Sequence, residues 1–204
     1  DEIVTHIPGL IDQRPNKDLI IGAEKYSARQ FSSILTTIGC PYACTFCVRS
    51  YDRSFVYRRM ESVMEELEDL KARYPVTVPA LIMDDCVLTN SKRFREFTTA
   101  FRAARVPFEA GARIMSITRE KLTTFMESGG VRMGVGVESG SQRVLDRVKK
   151  RLKVEETVKR TSLLKEVGLE WQAFVVVGFP FETPDDLKMT EELLLKIEPS
   201  FVSI

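Results

Sequence analysis

Gly39-Cys40-Pro41-Tyr42-Ala43-Cys44-Thr45-Phe46-Cys47 is the stretch that decides the fold of this chain, because it places three cysteines within eight residues in the spacing C-x3-C-x2-C. A short β-rich run at residues 33–38 precedes it. The loop is therefore expected at the carboxyl end of a strand, where α/β proteins place their functional sites. Four cysteines in 204 residues are too few for a disulfide scaffold, so the crowding indicates metal ligation and a reducing, intracellular compartment.

The spacing of the three cysteines bears on the kind of metal centre. Three thiolates on one tight loop can each hold one iron of a four-iron, four-sulfur cube, since thiolate is the usual protein ligand of such clusters. The fourth iron then keeps an open coordination position, which is typical of reactive metal sites. The alternative is a structural zinc loop or an electron-transfer cluster with Cys86 as the fourth ligand. Zinc sites usually show C-x2-C pairs, so the uneven triplet favours the reactive cluster.

Length, composition and charge describe an ordinary globular chain. The 204 residues suit one domain with a real core, and 44% of them are hydrophobic and 29% charged. Thirty basic residues against 29 acidic ones leave a net charge of +1, which argues weakly against nucleic acid as the main ligand. The sequence contains neither an apolar run of membrane-spanning length nor a signal-peptide pattern. It opens without Met and ends on an apolar run, so we expect both ends to be cut.

Beyond the cysteine loop, the hydrophobic period alternates between strand and helix. Residues 1–30 are irregular, and we interpret them as a connector. Apolar or β-rich runs predict strands at residues 33–38, 78–83, 108–113, 131–137, 171–177 and 200–204, with helices between them. The fifth run is nearly all apolar, which predicts a strand covered on both faces. This alternation predicts a parallel sheet with helices outside, and both an open doubly wound sheet and a curved partial barrel fit it.

The triplet, with the aromatic Phe46 before its last cysteine, resembles the signature of the radical S-adenosylmethionine (SAM) enzymes. The resemblance extends from about Ser32 to Ile204. Residues 136–141, Gly-Val-Glu-Ser-Gly-Ser, look like the family's fourth-strand ribose-contact segment, and residues 177–183, Val-Gly-Phe-Pro-Phe-Glu-Thr, look like its fifth-strand segment. The resemblance implies an α/β fold of the partial (β/α)6 barrel type. Residues 31–204 would form this radical SAM core, incomplete near the sixth strand, and residues 1–30 would connect it to an upstream domain.

The resemblance also implies the chemistry. The amino and carboxylate groups of SAM would chelate the open iron of a [4Fe-4S] cluster held by Cys40, Cys44 and Cys47. An electron from the reduced cluster would break the sulfur–C5′ bond, and the resulting 5′-deoxyadenosyl radical would abstract a substrate hydrogen. An electron donor such as flavodoxin or ferredoxin is implied, together with a small-molecule, peptide or tRNA substrate. We expect a cytoplasmic enzyme with no membrane partner.

The family pattern assigns contacts for the adenosine part of SAM. Phe46 would pack near the adenine, although ordinary core packing is an equal alternative. Glu138 and Ser139 would hydrogen-bond the ribose hydroxyls, and because a charged Glu at the end of a buried strand is costly without a partner, we favour this functional role over a structural one. Gly178 and Pro180 would contact the adenine through their backbone. In that segment the family pattern expects an acid at position 181. This chain has Phe181 there, and its acid, Glu182, comes one residue later.

Two further acidic residues and an arginine complete the predicted site. Asp84 and Asp85 stand where many members carry Gly-Gly-Glu for the methionine amine, and the missing glycines leave capping of the next helix as an alternative. Arg113 ends the third predicted strand at the same rim and would pair with a carboxylate of the cofactor or of a substrate.

Four arginines follow the cysteines, at positions 49, 53, 58 and 59. A solvated basic face is the interpretation we prefer for them over a site for an anionic substrate.

Within the family, the core most resembles members that carry an N-terminal cobalamin-binding domain. That resemblance implies methyl transfer, or another cobalamin-assisted reaction, with the cobalamin bound by a domain outside this chain. A methylthiotransferase is the nearest alternative within the family. A non-enzymatic iron–sulfur or zinc module that uses Cys86 as well as the triplet is the alternative from a different class.

Overall fold

Strands and helices alternate along the chain in the computed structural model, which describes residues 9–22, 25–47, 55–75 and 77–204. The strands are β1 Ser33–Ile34, β2 Thr37–Ile38, β3 Val56–Tyr57, β4 Ala80–Ile82, β5 Phe108–Ala112, β6 Gly130–Glu138, β7 Glu170–Val175 and β8 Phe201–Ser203. The helices are α1 Ala28–Phe31, α2 Met60–Arg73, α3 Ser91–Ala104, α4 Arg119–Glu127, α5 Gln142–Arg147, α6 Val154–Glu166 and α7 Pro184–Ile197.

Six of the strands form one parallel sheet in the order β1-β4-β5-β6-β7-β8. Each strand therefore lies beside the next sheet strand in the chain, with a helical crossover between them, as the alternation predicts. β1 and β8 are the two edges, and within the described residues they do not pair with each other. The α/β class with a parallel sheet is confirmed, and the sheet is open in this chain.

The first predicted strand, 33–38, is wrong as a single element. β1 pairs with β4 over two residues, and the chain then leaves the sheet so that β2 pairs antiparallel with β3. The physical reason lies in Asp84, which follows β4. Its carboxylate accepts hydrogen bonds from the backbone N–H of Thr36 (2.6 Å) and from the Thr36 hydroxyl (2.5 Å). A side chain thus replaces the ladder partner that would have continued β1.

The hydrophobic core lies between the sheet and its outer helices. The phenylalanines of α3 are buried, and the rings of Phe97, Phe101, Phe108 and Phe125 pack in sequence with centroids 4.4–5.1 Å apart. Fully burying one such side chain contributes roughly 1.5–3 kcal/mol, so this stack anchors α3 and α4 on β5.

The fifth predicted strand is not covered on both faces. Buried and more exposed residues alternate along β7, and the side chain of Phe174 keeps 41% of its surface accessible. Helices cover one face of the sheet, and Phe174 lies on the other, more exposed face. A nearly continuous apolar run therefore does not indicate two-sided burial here.

The residues before β1 pack against the edge of the sheet. The Lys17 ammonium donates hydrogen bonds to the backbone carbonyls of Phe31 (2.5 Å) and Ser33 (2.9 Å), and it lies 3.5 Å from Glu66 on α2. These contacts satisfy carbonyls that an edge strand would otherwise expose. The division into a connector (1–30) and a core (31–204) remains a prediction. No helix in the described part of the chain is both long and apolar enough to cross a bilayer.

Candidate active site

The cysteine loop is fixed at the carboxyl end of the sheet by Asp84, Asp85 and Cys86, which lie shortly after β4. Asp84 holds Thr36 through both of its carboxylate oxygens, as described above. Asp85 accepts a hydrogen bond from the backbone N–H of Gly39 at 3.0 Å. Cys86 places its sulfur 3.6 Å from the sulfur of Cys40. We call Asp84, Asp85 and Cys86 the brace. They contact the stem of the loop, residues 36–39, and its first cysteine, Cys40.

The brace bears on the prediction made for the two aspartates. Helix capping is wrong, because the side chain of Asn90 accepts from the backbone N–H of Arg93 at the start of α3. Burial raises the pKa of Asp84, and the hydrogen bonds from Thr36 oppose that effect. A contact of Asp84 or Asp85 with the methionine amine of SAM stays a prediction.

The three cysteines of the triplet differ in their accessibility. Cys44 is buried, Cys40 is half-buried and Cys47 is exposed. The hydrogen bond with Cys86 lowers the pKa of the Cys40 thiol to about 6, against the opposing effect of burial. The same contact and burial raise the pKa of Cys86.

The donor set does not form a site for a single metal ion. Among the described residues, no group of three or more His, Cys, Asp or Glu side chains is gathered closely enough to hold one ion. The cysteine ligands of a cubane bind different irons and therefore lie further apart than the ligands of a single ion. Three thiolates on one loop are ligands of the kind that such a cluster uses.

Arg58 is not part of a solvated basic face, so that interpretation is wrong for this residue. Its side chain is 2% exposed, forms an ion pair with Glu66 and donates to the carbonyl of Leu35 at 3.3 Å. The acid opposite Arg58 is the buried Glu66 on α2, and the local sequence around the arginines does not reveal it. Arg59 does lie at the surface, where it pairs with Asp12 at 2.9 Å. Positions 49 and 53 lie outside the described residues.

Arg93 on α3 joins the two ends of the cysteine segment. Its guanidinium donates to the carbonyl of Thr36 at 2.8 Å and to the carbonyl of Arg58 at 2.6 Å. One residue precedes the cysteines and the other follows them, so a single buried cation closes the segment. Sequence reasoning missed Arg93, since nothing in the helix distinguishes it from its solvated neighbours.

Arg113 lies directly after β5 with its guanidinium beside the cysteine loop. The side chain is buried; one nitrogen is 3.6 Å from the sulfur of Cys44, and the guanidinium carbon is 3.8 Å from the ring centroid of Tyr42. Its other terminal nitrogen is buried with no hydrogen-bond partner, and no described acid pairs with it. A buried cation without an acid is unusual, so the site offers a place for an anionic group.

Glu138 ends β6 in a left-handed conformation with φ of 65°. Its carboxylate forms a buried ion pair with Lys150 at 2.5 Å, and the same ammonium lies 6.0 Å from the ring centroid of Phe46. Gly136 leaves room for the pair, because a Cβ there would lie 2.5 Å from the Glu138 oxygen and 2.7 Å from the Lys150 nitrogen. Sequence reasoning missed Lys150, although a buried Glu138 already required a cation.

Ser139 holds the turn after β6 on α7. Its hydroxyl lies 3.2 Å from that of Thr190 and accepts from the backbone N–H of Ser141 at 3.1 Å. Gly140 permits this packing, because a Cβ there would lie 2.2 Å from the carbonyl oxygen of Met189. The ribose contact of Ser139 stays a prediction.

The turn after β7 brings a second aromatic residue to Phe46. Gly178 has a φ of 86°, and its N–H donates to Glu182 at 2.6 Å, which closes the turn that contains Pro180. The rings of Phe179 and Phe46 are 5.9 Å apart. Glu182 keeps one buried carboxylate oxygen without a hydrogen-bond partner among the described residues. The fold thus gathers Phe46, Glu138 and the Gly178 turn around one region beside the cysteines.

A family model described as the radical SAM superfamily matches residues 34–194 of this chain. The chain belongs to the radical SAM superfamily. This finding confirms the resemblance carried by the cysteine triplet and, with it, the predicted enzyme class.

Named relatives are similar to this radical SAM chain over part of their length. The uncharacterized methyltransferase PH0819 of Pyrococcus horikoshii is 27% identical over 191 residues, which cover 90% of this chain and 41% of that protein. The structure of the cobalamin-dependent SAM radical enzyme OxsB, with aqua-cobalamin and SAM bound, matches with a TM-score of 0.66 at 24% identity and covers 81% of this chain and 27% of OxsB. The radical SAM methyltransferase TsrM from Kitasatospora setae, with tryptophan and aza-SAM bound, matches with a TM-score of 0.76 at 18% identity, covering 94% of this chain and 38% of TsrM. The chain spans less than half of each protein.

The superfamily uses a [4Fe-4S] cluster and SAM, and the residues of this chain fit those groups in kind. Three thiol donors stand on one loop at the carboxyl end of β1 and β2. The guanidinium of Arg113 lies beside one of them, and an anionic cluster or carboxylate would satisfy its second terminal nitrogen, which has no partner.

Proposed function

We propose that this chain is the SAM-binding core of a radical SAM enzyme in which Cys40, Cys44 and Cys47 hold a [4Fe-4S] cluster. The observation that carries the proposal is the buried Arg113, whose guanidinium is next to Cys44 and has a nitrogen without a partner. Family membership supplies the identity of the groups, and this unsatisfied cation supplies the chemical reason for an anion at that place.

The side chains around the loop divide the binding of the cofactor between them. Arg113 would pair with a carboxylate, either the methionine carboxylate of SAM or that of a substrate. Glu138 would accept from the ribose hydroxyls, and Lys150 orients that buried carboxylate. Phe46 would pack against the adenine together with the backbone at Gly178 and Pro180. Ser139 would donate to the ribose, and Asp84 or Asp85 would receive the methionine amine.

When bound, the cluster and SAM supply one-electron chemistry that generates a carbon radical. The chain itself orients the cofactor and excludes water. The brace and Arg93 fix the loop beside which the cofactor would bind.

Methyl transfer with cobalamin is the reaction that we favour for the whole protein. PH0819 is named a methyltransferase, and the structures of OxsB and TsrM represent cobalamin-dependent and methyl-transferring members of the same fold. Cobalamin would be bound by a domain upstream of residues 1–30. A methylthiotransferase stays the alternative. An electron donor such as flavodoxin or ferredoxin, and a cytoplasmic location, complete the proposal.

The test is anaerobic cluster reconstitution followed by EPR spectroscopy of the reduced protein with and without SAM. We expect about four irons per chain and a reduced-cluster signal that changes when SAM is added. Cys47→Ala should abolish the signal, and since Cys47 is exposed its loss should leave the fold intact. Arg113→Met should keep the signal but weaken its response to SAM. Bound zinc, or a signal indifferent to SAM in the wild type, would contradict the proposal.

A further inference from the structure

Cys86 is a buried fourth cysteine in contact with the first cysteine of the triplet. It is 8% exposed, and its sulfur lies 3.6 Å from that of Cys40. The contact is held on both sides, because the neighbouring Asp85 accepts from the N–H of Gly39, the residue before Cys40. Asp84 meanwhile fixes Thr36 further up the stem. The brace therefore determines where Cys86 stands relative to Cys40.

Ligation is the first role to consider for such a pair. Two thiolates on one tetrahedral metal ion, each at 2.3 Å, lie about 3.8 Å apart, so the distance alone would allow a shared ion. A third donor would have to join them, and the described residues provide none that is close enough. The proposed function also requires that one iron of the cluster keep no protein ligand. Cys86 is therefore left as a thiol beside a ligand.

We propose that the Cys86 thiol donates a hydrogen bond to the ligating sulfur of Cys40 and thereby raises the reduction potential of the cluster. The inference rests on the proposed function. Once Cys40 binds iron its sulfur carries no proton, so Cys86 is the donor of the pair. Reduction adds negative charge that spreads onto the ligand sulfurs, and a donor aimed at one of them stabilises the reduced form more than the oxidised form. Burial of Cys86 keeps water from replacing it. Cys86 is thus a positioning residue that tunes the cluster.

Two substitutions separate this role from ligation and from packing. Cys86→Val has a similar shape and no donor, whereas Cys86→Ser keeps a donor at the same place. Each variant and the wild type would be reconstituted anaerobically, assayed for iron and sulfide, and titrated with a redox mediator while EPR follows the reduced cluster.

We expect all three proteins to hold the same amount of iron. At a fixed potential near the wild-type midpoint, the ratio of reduced to oxidised cluster should fall several-fold in the valine variant, up to about tenfold, which equals 59 mV for a one-electron couple. The serine variant should stay within about twofold of the wild type. Should the valine variant fail to fold by circular dichroism, Cys86→Ala makes the same comparison.

Three outcomes would overturn the inference. A valine or alanine variant with the wild-type midpoint means that the contact does not tune the cluster. Loss of iron from a folded valine or alanine variant means that Cys86 is a ligand. A serine variant that shifts as far as the valine variant means that packing, and not the donor, sets the potential. Failure of the proposed function is distinguishable, because it shows in the wild type as a signal indifferent to SAM.

Discussion

At the scale of single residues, Glu138 and Lys150 form a buried ion pair at the end of β6. The two side chains are 9% and 7% exposed, and each is the partner of the other. Removing one member of such a pair leaves a buried charge without compensation, which costs more than the pair itself contributes.

Lys150→Met is therefore expected to lower the free energy of unfolding by about 3–5 kcal/mol. Lys149→Met is the matched control, because Lys149 is the exposed neighbour, and it should change the stability by no more than about 0.5 kcal/mol. Replacing both partners, Glu138→Gln with Lys150→Met, should recover most of the loss, since no charge is then left buried. Urea unfolding of the cluster-free proteins measures all three. Equal stability of the two lysine variants would show that the pair is not formed in solution.

Some residues of the site could be predicted from the sequence, and others could not. The cysteines and the strand-end Glu138 are found within short local patterns, so spacing and family resemblance identify them. Lys150 lies 12 residues from its partner, beyond a helix, and Arg93 is one cation among several on α3. Their importance depends on which carbonyl or carboxylate the folded chain brings to them, and no local pattern records that.

At the scale of elements, the Asp186 carboxylate at the start of α7 bonds to residues at the start of α5, just after β6. Asp186 closes the capping box with Thr183, accepts from the hydroxyl of Ser141 at 2.5 Å and pairs with Arg143. The Thr183 cap follows from local sequence, since Thr, then Pro, then an acid three residues after the cap is a helix-start pattern. The contacts with α5 and its cap were not predictable, because they join segments more than 40 residues apart.

The same cluster predicts a dependence of stability on pH. The hydrogen bond from Arg143, followed by those from Ser141 and Thr183, holds the pKa of Asp186 below its usual range. The unfolded chain consequently binds a proton at a higher pH than the folded chain does. The stability contributed by Asp186 is then complete above the unfolded pKa of about 3.9 and is lost as the pH falls through the folded value.

Asp186→Asn should accordingly be less stable than the wild type at pH 7, and the difference should shrink as the pH falls from about 5 to 2. Asp185→Asn is the control, because Asp185 lies in the same first turn with its side chain exposed. Urea midpoints measured at intervals across this range test the prediction. A difference between Asp186→Asn and the wild type that stays constant with pH would contradict it.

The elements themselves were largely predictable, and the main exception is the first strand. Helices α2, α3 and α7 and strands β5 to β8 follow the apolar period closely. The break after β1 does not, because the Asp84 carboxylate takes the place of a strand partner. Periodicity describes which face of an element is buried, and it does not register a side chain that interrupts a ladder.

At the scale of the whole molecule, the site lies on the open side of the sheet. The outer helices cover one face, while Met83 after β4 and Phe174 on β7 keep 57% and 41% of their surface exposed. The groups around the cysteines come from the ends of several strands. A ligand bound there would contact several segments of the fold at once. Binding should therefore be visible as stabilisation of the entire fold.

The last prediction follows from mass action. A ligand that binds only the folded protein at a concentration of 100 times its Kd adds about 2.7 kcal/mol to the stability. For a chain of this size each kcal/mol raises the Tm by roughly 2–4 °C, so saturating SAM should raise the Tm of the cluster-loaded protein by about 5–10 °C. The Cys47→Ala variant, which cannot complete the cluster, should show a much smaller rise. Anaerobic calorimetry gives both values. If the two proteins gain equally, SAM binds this chain without the cluster, and the residues around Glu138 rather than the open iron would then account for the affinity.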